Sequence, residues 1–146
     1  MKIEGVTKKD FSEWLKMGLL FWEKHPEEKI KKEFQEILHS KKEAAFIARD
    51  NYNTPLGFVN IAVRNDYVEG SKTNPVGYIE GIYVRKEYRK KGVAKQLIKE
   101  SEKWFIKKGV KEMGSDAEIN NTVSHAFHKS FGFKKGETLI HYIKKL

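Results

Sequence analysis

The chain of 146 residues contains no cysteine, and this absence excludes two kinds of chemistry. Without thiols the protein can form neither a disulfide nor an acyl-enzyme on a cysteine nucleophile. No apolar run approaches the ~20 residues that a membrane-spanning helix needs. The N-terminal segment MKIEGVTKKDF also lacks the apolar stretch of a signal peptide. We therefore expect a soluble cytoplasmic protein that has no membrane partner.

Negative charge is in short supply: 20 acidic residues face 29 lysines and arginines, for a net charge of +9. Such a balance suits a nucleic-acid-binding domain, and equally an enzyme that binds a polyanionic cofactor. A recognition helix and a basic stripe with interleaved aromatics are both missing, so we expect no nucleic-acid partner and keep that class as an alternative. The carboxylates fall in or beside predicted strand ends and loops: Asp66, Glu69, Glu80, Asp116, Glu118 and Glu137. This placement indicates a site that handles a cation as well as an anion.

Hydrophobic periodicity predicts one domain, 1–146, of the α/β class. Strands are predicted at 1–6, 45–49, 57–64, 77–85 and 111–115, with one or two closing strands after Phe133. Helices are predicted from Phe11 to Trp22, from Ile30 to about Ser40, from Val93 to Gly109 and at 122–131. His25-Pro26 should separate the first two helices, because proline disfavours helix in the residue before it. The order predicts a mixed sheet with helices on both faces.

The segment RKKGVA, residues 89–94, lies between a predicted strand and a predicted helix. The first amide groups of a helix lack partners within it, and the helix dipole adds partial positive charge there. Gly92 allows a tight turn and a close approach, and the three preceding cations add full charges. The segment therefore predicts a phosphate or pyrophosphate site. The Gly-Lys-Ser/Thr ending of a Walker loop and the three glycines of a dinucleotide fingerprint are both absent.

The pattern Arg-x-x-Gly-x-Ala after the strand GIYVRKEYR resembles motif A of the GNAT superfamily of N-acetyltransferases. The segment NNTVSHAFHKSFGF resembles the motif B of that superfamily, and the likeness extends from Tyr52 to the end of the chain. Within the superfamily, YVEGSKTNPVGYIEGIYV and GSDAEINN look like one branch of aminoglycoside 6'-N-acetyltransferases. The resemblance implies a GNAT fold, with a mixed, mostly antiparallel sheet flanked by helices on both faces, and acetyl-CoA as co-substrate.

The resemblance also implies where acetyl-CoA binds. Backbone groups of Ile82, Tyr83 and Val84 would bind the pantetheine arm and polarise the acetyl carbonyl. The pyrophosphate would lie against Arg89, Lys90, Lys91, Gly92, Val93 and Ala94. Asn121 is a candidate pantetheine ligand, and alternatively a helix N-cap. No metal is expected, because nothing completes a site with His125, His128 and Asp116.

Two residues are candidates for proton transfer. Glu80 is a carboxylate inside an apolar strand, and either faces solvent or receives the substrate ammonium and helps to deprotonate it. A primary amine with a pKa near ~10.4 is mostly protonated at pH 7, so a base or a water chain is needed. His128 stands where the family often has a tyrosine that protonates the departing thiolate. It is either this acid or an ordinary residue of the helix surface.

The acceptor site is predicted from the same resemblance. Its candidate residues are Trp22, His25, Tyr67, Glu80, Asp116 and Glu137. The alternatives are a core position for Trp22 and a helix cap for Asp116. The expected reaction is direct transfer of acetyl to the 6'-amine of an aminoglycoside in a ternary complex. A polyamine or protein N-terminus as acceptor, and a CoA-binding protein without activity, remain alternatives. A homodimer is expected, because an exposed late strand in this fold often pairs with a second subunit.

Overall fold

The computed structural model describes residues 1–146 and contains a five-stranded sheet in the order β1-β2-β3-β4-β5. Neighbouring strands are antiparallel except for β4 and β5, which are parallel. The strands are β1 (Lys2–Gly5), β2 (Glu43–Arg49), β3 (Pro55–Arg64), β4 (Val76–Val84) and β5 (Met113–Gly114). The helices are α1 (Phe11–Phe21), α2 (Glu27–His39), α3 (Val93–Lys107) and α4 (Thr122–Ser130). Single 3₁₀ turns precede α1 and α3.

The sheet buries a separate hydrophobic cluster on each face, because side chains alternate along a strand. Ile47 and Phe58 pack with Trp14 and Phe34 of α1 and α2. Their strand neighbours Ala48 and Val59 lie in the other cluster, with Leu97, Ile98 and Phe105 of α3. Helices therefore cover both faces, which confirms the predicted layering.

A buried arginine, paired with two carboxylates, fastens α1 to the sheet. The guanidinium of Arg49, which is 5% exposed, donates to Asp10 at 2.6 Å and to Glu13 at 2.8 Å. A buried cation needs such partners, because an unpaired charge in the interior is costly. This contact holds the helix whose C-terminal end reaches the functional site.

The four predicted helices and the first four predicted strands are present, with ends shifted by a few residues. Pro26 lies between α1 and α2, and α3 ends just before Gly109, as the sequence predicts. The fifth strand is shorter than the predicted 111–115 and pairs through only Gly77↔Met113 and Tyr78↔Gly114. None of the helices combines the length and the apolar content that crossing a bilayer requires.

The prediction of closing strands after Phe133 is wrong for this chain. Residues 133–146 contain no strand, although the segment includes the β-forming residues Phe133, Ile140, Tyr142 and Ile143. Five of these side chains are exposed: Leu139, Ile140, Tyr142, Ile143 and Leu146. A segment of β-forming residues becomes a strand only where a neighbouring edge accepts its hydrogen bonds. No strand of the same chain pairs with this tail.

Candidate active site

A gap in the sheet opens where β4 and β5 part. Their pairing stops at Tyr78↔Gly114, whereas β4 continues to Val84. Residues 79–84 therefore have no strand neighbour on the β5 side, and this stretch includes Ile82, Tyr83 and Val84. An unpaired strand edge presents backbone donors and acceptors to a ligand. The gap fits the extended, amide-containing arm that the sequence predicts at these residues.

A β-bulge in β4 gives Glu80 its position. Asn60 of β3 pairs with Gly81 and Ile61 pairs with Ile79, so Glu80 has no partner in the register. A bulge of this kind redirects a side chain and increases local twist. Glu80 is exposed between buried neighbours, which explains how a carboxylate is tolerated inside an apolar strand.

The loop before α3 forms a cradle of backbone amides. Gly92 has φ +84° and Lys90 has φ +60°, both in the left-handed region. None of the amides of residues 90–95 donates to a backbone or side-chain oxygen. A non-glycine residue in this conformation is strained and often marks a functional loop. Successive free amides at a helix N-terminus are suited to an anion, and the pyrophosphate site at RKKGVA stays a prediction.

Three basic side chains border the amide cradle. Arg89 Nε donates to the carbonyl of Val84 at 2.8 Å, which ties the loop to the end of β4. The guanidinium of Arg89 also lies 5.8 Å from the ring centroid of Tyr83. Lys90 and Lys91 are exposed. Charged side chains at such a loop add to the attraction that the helix N-terminus exerts on an anion.

Asn121 is the N-cap of α4: its side-chain oxygen accepts from the amide of Ser124 at 3.0 Å. The cap that the sequence allowed is therefore present. The cap uses the oxygen alone, and the side-chain NH2 group has no acceptor within the chain. Asn121 can cap the helix and donate to a ligand amide at the same time.

His128 has both ring nitrogens engaged. Nδ1 is 2.6 Å from the carbonyl oxygen of Ser124, and Nε2 is 2.8 Å from Oγ of Ser115. The carbonyl can only accept, so Nδ1 carries a proton and donates to it, while Nε2 and the Ser115 hydroxyl share a hydrogen bond in which either group can donate. Ser115 directly follows β5. His128 is thus hydrogen-bonded to a hydroxyl at the end of that strand.

Four charged or polar side chains form a connected set across β3, β4 and the end of β5. We call it the Arg64 network: Arg64, Tyr78, Glu80 and Asp116. Arg64 donates to both Glu80 oxygens, from Nε at 2.9 Å and from Nη2 at 2.8 Å. Its guanidinium lies 3.4 Å from the ring centroid of Tyr78, whose hydroxyl donates to Asp116. The predicted acceptor residues Glu80 and Asp116 are thus linked through two residues that sequence reasoning missed.

Two pKa values respond to these contacts. Burial, together with the hydrogen bond to Asp116, raises the pKa of Tyr78. The phenol therefore stays protonated and donates to the carboxylate. The paired hydrogen bonds to Glu80 raise the pKa of Arg64, which stays a cation.

Trp22 packs against Gly81, the residue that follows Glu80 in β4. A Cβ placed on Gly81 would lie 2.6 Å from Cη2 of Trp22 and 3.0 Å from Cε1 of Phe21, so the ring covers this strand position closely. Trp22 also packs with Phe34 and Phe58, so the core role and a position at the site coexist. His25 is exposed on the following turn, where its amide donates to the carbonyl of Trp22 at 3.0 Å.

The last two predicted acceptor residues are Tyr67, in the loop between β3 and β4, and Glu137, in the C-terminal segment. Val68 packs with Val76 and Tyr78, while Tyr67 is exposed. A Cβ on Gly136 would lie 3.6 Å from Cγ of Glu69, so the C-terminal segment passes beside this loop. Glu137 follows directly and is exposed. No hydrogen bond or ion pair joins Glu137 to Glu80 or Asp116, so its place in the acceptor site stays a prediction.

The sequence contained one signal for the missed partner of Glu80. Arg64 is a cation at the end of β3, and Glu80 is an anion in the next strand, β4. Opposite charges in two adjacent strands indicate a candidate ion pair. In the register, Arg64 pairs with Val76 and Ala62 pairs with Tyr78, so Arg64 reaches Glu80 across the ring of Tyr78. No group of His, Asp and Glu side chains in the chain could hold a metal ion.

Comparison with known proteins gives consistent matches over the whole chain. The model of the acetyltransferase (GNAT) family matches residues 11–133. The chain is 36% identical over 145 residues to an aminoglycoside N(6')-acetyltransferase type 1 of Salmonella enteritidis, with 99% of each chain covered. A protein of the same name from Acinetobacter haemolyticus is 31% identical, with 100% of this chain and 99% of the other covered.

Solved structures that superpose on this chain carry the same kind of name as these relatives. AAC(6')-Iy in complex with the bisubstrate analog CoA-S-monomethyl-acetylneamine superposes with a TM-score of 0.95 at 35% identity, covering 99% of this chain and 98% of the other. The apo 6'-N-acetyltransferase AAC(6')-IG from Acinetobacter haemolyticus has a TM-score of 0.93 at 32% identity, covering 100% and 99%.

Proposed function

The chain belongs to the GNAT family of acetyltransferases and has its fold, and from this premise we propose that it transfers acetyl from acetyl-CoA to the 6'-amine of an aminoglycoside. One observation carries the proposal. The sheet gap has an anion-binding loop at one end and a carboxylate-lined surface beside it. A donor with a pyrophosphate and an acceptor with several ammonium groups need these opposite charges.

Acetyl-CoA is the donor. The amides of residues 90–95 take its pyrophosphate, and the free edge of β4 at 82–84 takes the pantetheine arm. Asn121 adds an amide donor from the start of α4. A relative with a TM-score of 0.94, AAC(6')-Iy, has been solved in complex with CoA, which supports this assignment.

The acceptor side is formed by carboxylates. Glu80, Asp116 and Glu137 provide negative charge in a chain with a net charge of +9. Trp22, Tyr67 and His25 complete the proposed surface around them. The bisubstrate analog of the relative joins CoA to acetylneamine, which supports an aminoglycoside as the acceptor.

We assign the proton transfers to two groups. Glu80 accepts a proton from the acceptor ammonium, directly or through water, which frees the nitrogen lone pair. The nitrogen attacks the acetyl carbon, the C–N bond forms and the C–S bond breaks. His128 in its protonated form passes the Nε2 proton to Oγ of Ser115, while the Ser115 hydroxyl gives its own proton to the departing sulfur. The nitrogen loses a second proton to solvent as the amide forms, and His128 is reprotonated from solvent. The products are therefore the acetylated amine and the CoA thiol, with one net proton released.

A thiol-release assay with acetyl-CoA and a panel of amines tests the function. We expect release with kanamycin, and little with an analogue that carries a hydroxyl at the 6' position. Spermidine and a peptide with a free N-terminus serve as competing acceptor classes. Release with spermidine or the peptide, and none with kanamycin, would keep the acetyltransferase and reject the aminoglycoside as acceptor.

We also propose that the enzyme is a cytoplasmic homodimer. The C-terminal tail, residues 138–146, exposes five apolar side chains, including Tyr142 at 89% and Ile143 at 101%. A group of exposed apolar side chains of this size often marks an interaction surface. Its β-branched and aromatic residues suit pairing with a strand of a second copy. The cytoplasm is the compartment in which acetyl-CoA is available to an enzyme of this kind.

A further inference from the structure

Arg64 is a cation placed inside the proposed binding site for a cationic acceptor. Its side chain is 40% exposed and that of Glu80 is 35% exposed, so both reach the surface on which the acceptor would lie. A positive group in this position should repel an ammonium group. Its presence therefore needs a physical reason.

The geometry of the contact supplies that reason. Arg64 uses Nε and Nη2 in parallel, one on each oxygen of Glu80, at 2.9 and 2.8 Å. Such a bidentate pair fixes the plane of the carboxylate, which a single point charge does not. The guanidinium is itself held from below by the ring of Tyr78, at 3.4 Å from the centroid. Tyr78 is held in turn by its hydrogen bond to Asp116.

Arg64 leaves part of the carboxylate free. An ionised carboxylate has about four lone-pair positions on its two oxygens, and Arg64 takes one on each. The remaining positions can accept from an ammonium group or from a water. Because Glu80 occupies the bulge of β4, its backbone sets where the carboxylate starts, but not the rotation of its side chain. The second constraint comes from Arg64.

We propose that Arg64 is a positioning residue for the acetyl transfer: it stays bound to Glu80 during the reaction and orients that carboxylate toward the acceptor amine. The inference rests on the proposed function, since it assigns Glu80 to the amine. Arg64 has the same sign of charge as the substrate ammonium, and it contributes to the reaction by orienting Glu80. Loss of Arg64 should therefore impair turnover more than acceptor binding.

The test compares Arg64→Met with Arg64→Lys by steady-state kinetics, using whichever amine of the panel the wild type acetylates. Methionine keeps a long apolar side chain over Tyr78 and removes the guanidinium with its two hydrogen bonds to Glu80. We expect kcat to fall about tenfold, while the KM of the amine stays equal or falls, because the surface gains one uncompensated negative charge. Lysine restores the charge but not the two parallel bonds, so kcat should stay low. Lys103→Met, which removes a cation from an exposed pair on α3, is the control for net charge.

Three kinetic results would overturn the inference. Unchanged kcat with a lower KM in Arg64→Met would mean that the acceptor displaces Arg64. Wild-type kcat in Arg64→Lys would mean that charge alone matters. A further loss of kcat when Arg64→Met is added to Glu80→Gln would mean that Arg64 acts independently of Glu80.

A measurement without acceptor separates this inference from the proposed function. Urea unfolding of the two single variants and the double variant should give a coupling of about two- to five-fold in the unfolding equilibrium, the range of partly exposed ion pairs. No coupling would reject the contact and the inference with it. An enzyme that acetylates spermidine but not kanamycin would reject the aminoglycoside assignment, while Arg64 would still be tested on spermidine.

Discussion

At the residue scale, the two sides of the proposed site differ in the sign of their charge. The donor side has Arg89, Lys90 and Lys91 beside free amides, and the acceptor side has Glu80 and Asp116. A net charge of +9 makes the carboxylates the less expected feature. Charged hydrogen bonds contribute roughly 1.5–3 kcal/mol each, so single carboxylates should have measurable roles.

Asp116→Asn should raise the KM for kanamycin by about tenfold, because an amide no longer attracts an ammonium group. The affinity for acetyl-CoA should change little. Glu80→Gln should lower kcat as well, since it removes the proposed proton acceptor. Steady-state kinetics and calorimetry with CoA measure the two effects. If both variants match the wild type on kanamycin, the acceptor site lies elsewhere.

Gly81 tests how closely Trp22 must approach the strand. Gly81→Ala places a methyl group against the rings of Trp22 and Phe21, and should lower the free energy of unfolding by about 1–3 kcal/mol. Displacement of the Trp22 ring from the proposed acceptor surface should also raise the KM of the acceptor. Thermal unfolding and kinetics measure both. Gly5→Ala is the control, because a Cβ there meets no atom within 4 Å. Equal losses in the two variants would contradict close packing at Gly81.

At the element scale, the loop between β4 and α3 combines two left-handed residues with amides that have no partners in the chain. A Cβ on Gly92 would meet no atom within 4 Å, so the glycine is required for its backbone conformation and for ligand approach. Strain at Lys90 persists because the loop is fixed at both ends, by β4 and by α3. The element is therefore shaped before the ligand arrives, which reduces the entropy cost of binding.

Gly92→Val should weaken acetyl-CoA binding at least tenfold, about 1.4 kcal/mol, because a β-branched residue at φ +84° is strained and the loop would reopen. Gly92→Asn should lose less, since asparagine tolerates this conformation. Calorimetry with folded variants gives the affinities. An unchanged affinity in Gly92→Val would remove the loop from the CoA site.

At the scale of the whole molecule, local signals predicted more than distant contacts did. The break at Pro26, the end of α3 at Gly109 and the loop at 89–94 depend on a few neighbouring residues, and the sequence predicts all three. The pairing of Arg64 with Glu80 depends on the β3–β4 register and on a bulge, which no short stretch of sequence contains. The roles of Ser115 and Tyr78 likewise arise from contacts between β5, α4 and the neighbouring strand.

The C-terminal tail shows the same limit most clearly. Its pattern predicted strands, and within one chain it forms none, because a strand needs a partner that its own sequence does not specify. A strand of a second copy would supply the missing hydrogen bonds and cover the apolar residues. The proposed dimer therefore explains why the pattern and the single chain disagree.

A variant that ends at Glu137 should convert the dimer to a monomer, measured by light scattering over a range of protein concentrations. The core should survive, because the removed side chains are exposed and belong to neither large cluster. Circular dichroism and thermal unfolding of the variant check this. Ile106→Lys, at an exposed apolar position on α3, is the matched control and should remain dimeric.

In the full chain, Ile140→Lys with Ile143→Lys should weaken the dimer without deleting any backbone. A wild type that stays monomeric at every concentration would reject the dimer, and a truncated variant that stays dimeric would move the interface away from the tail.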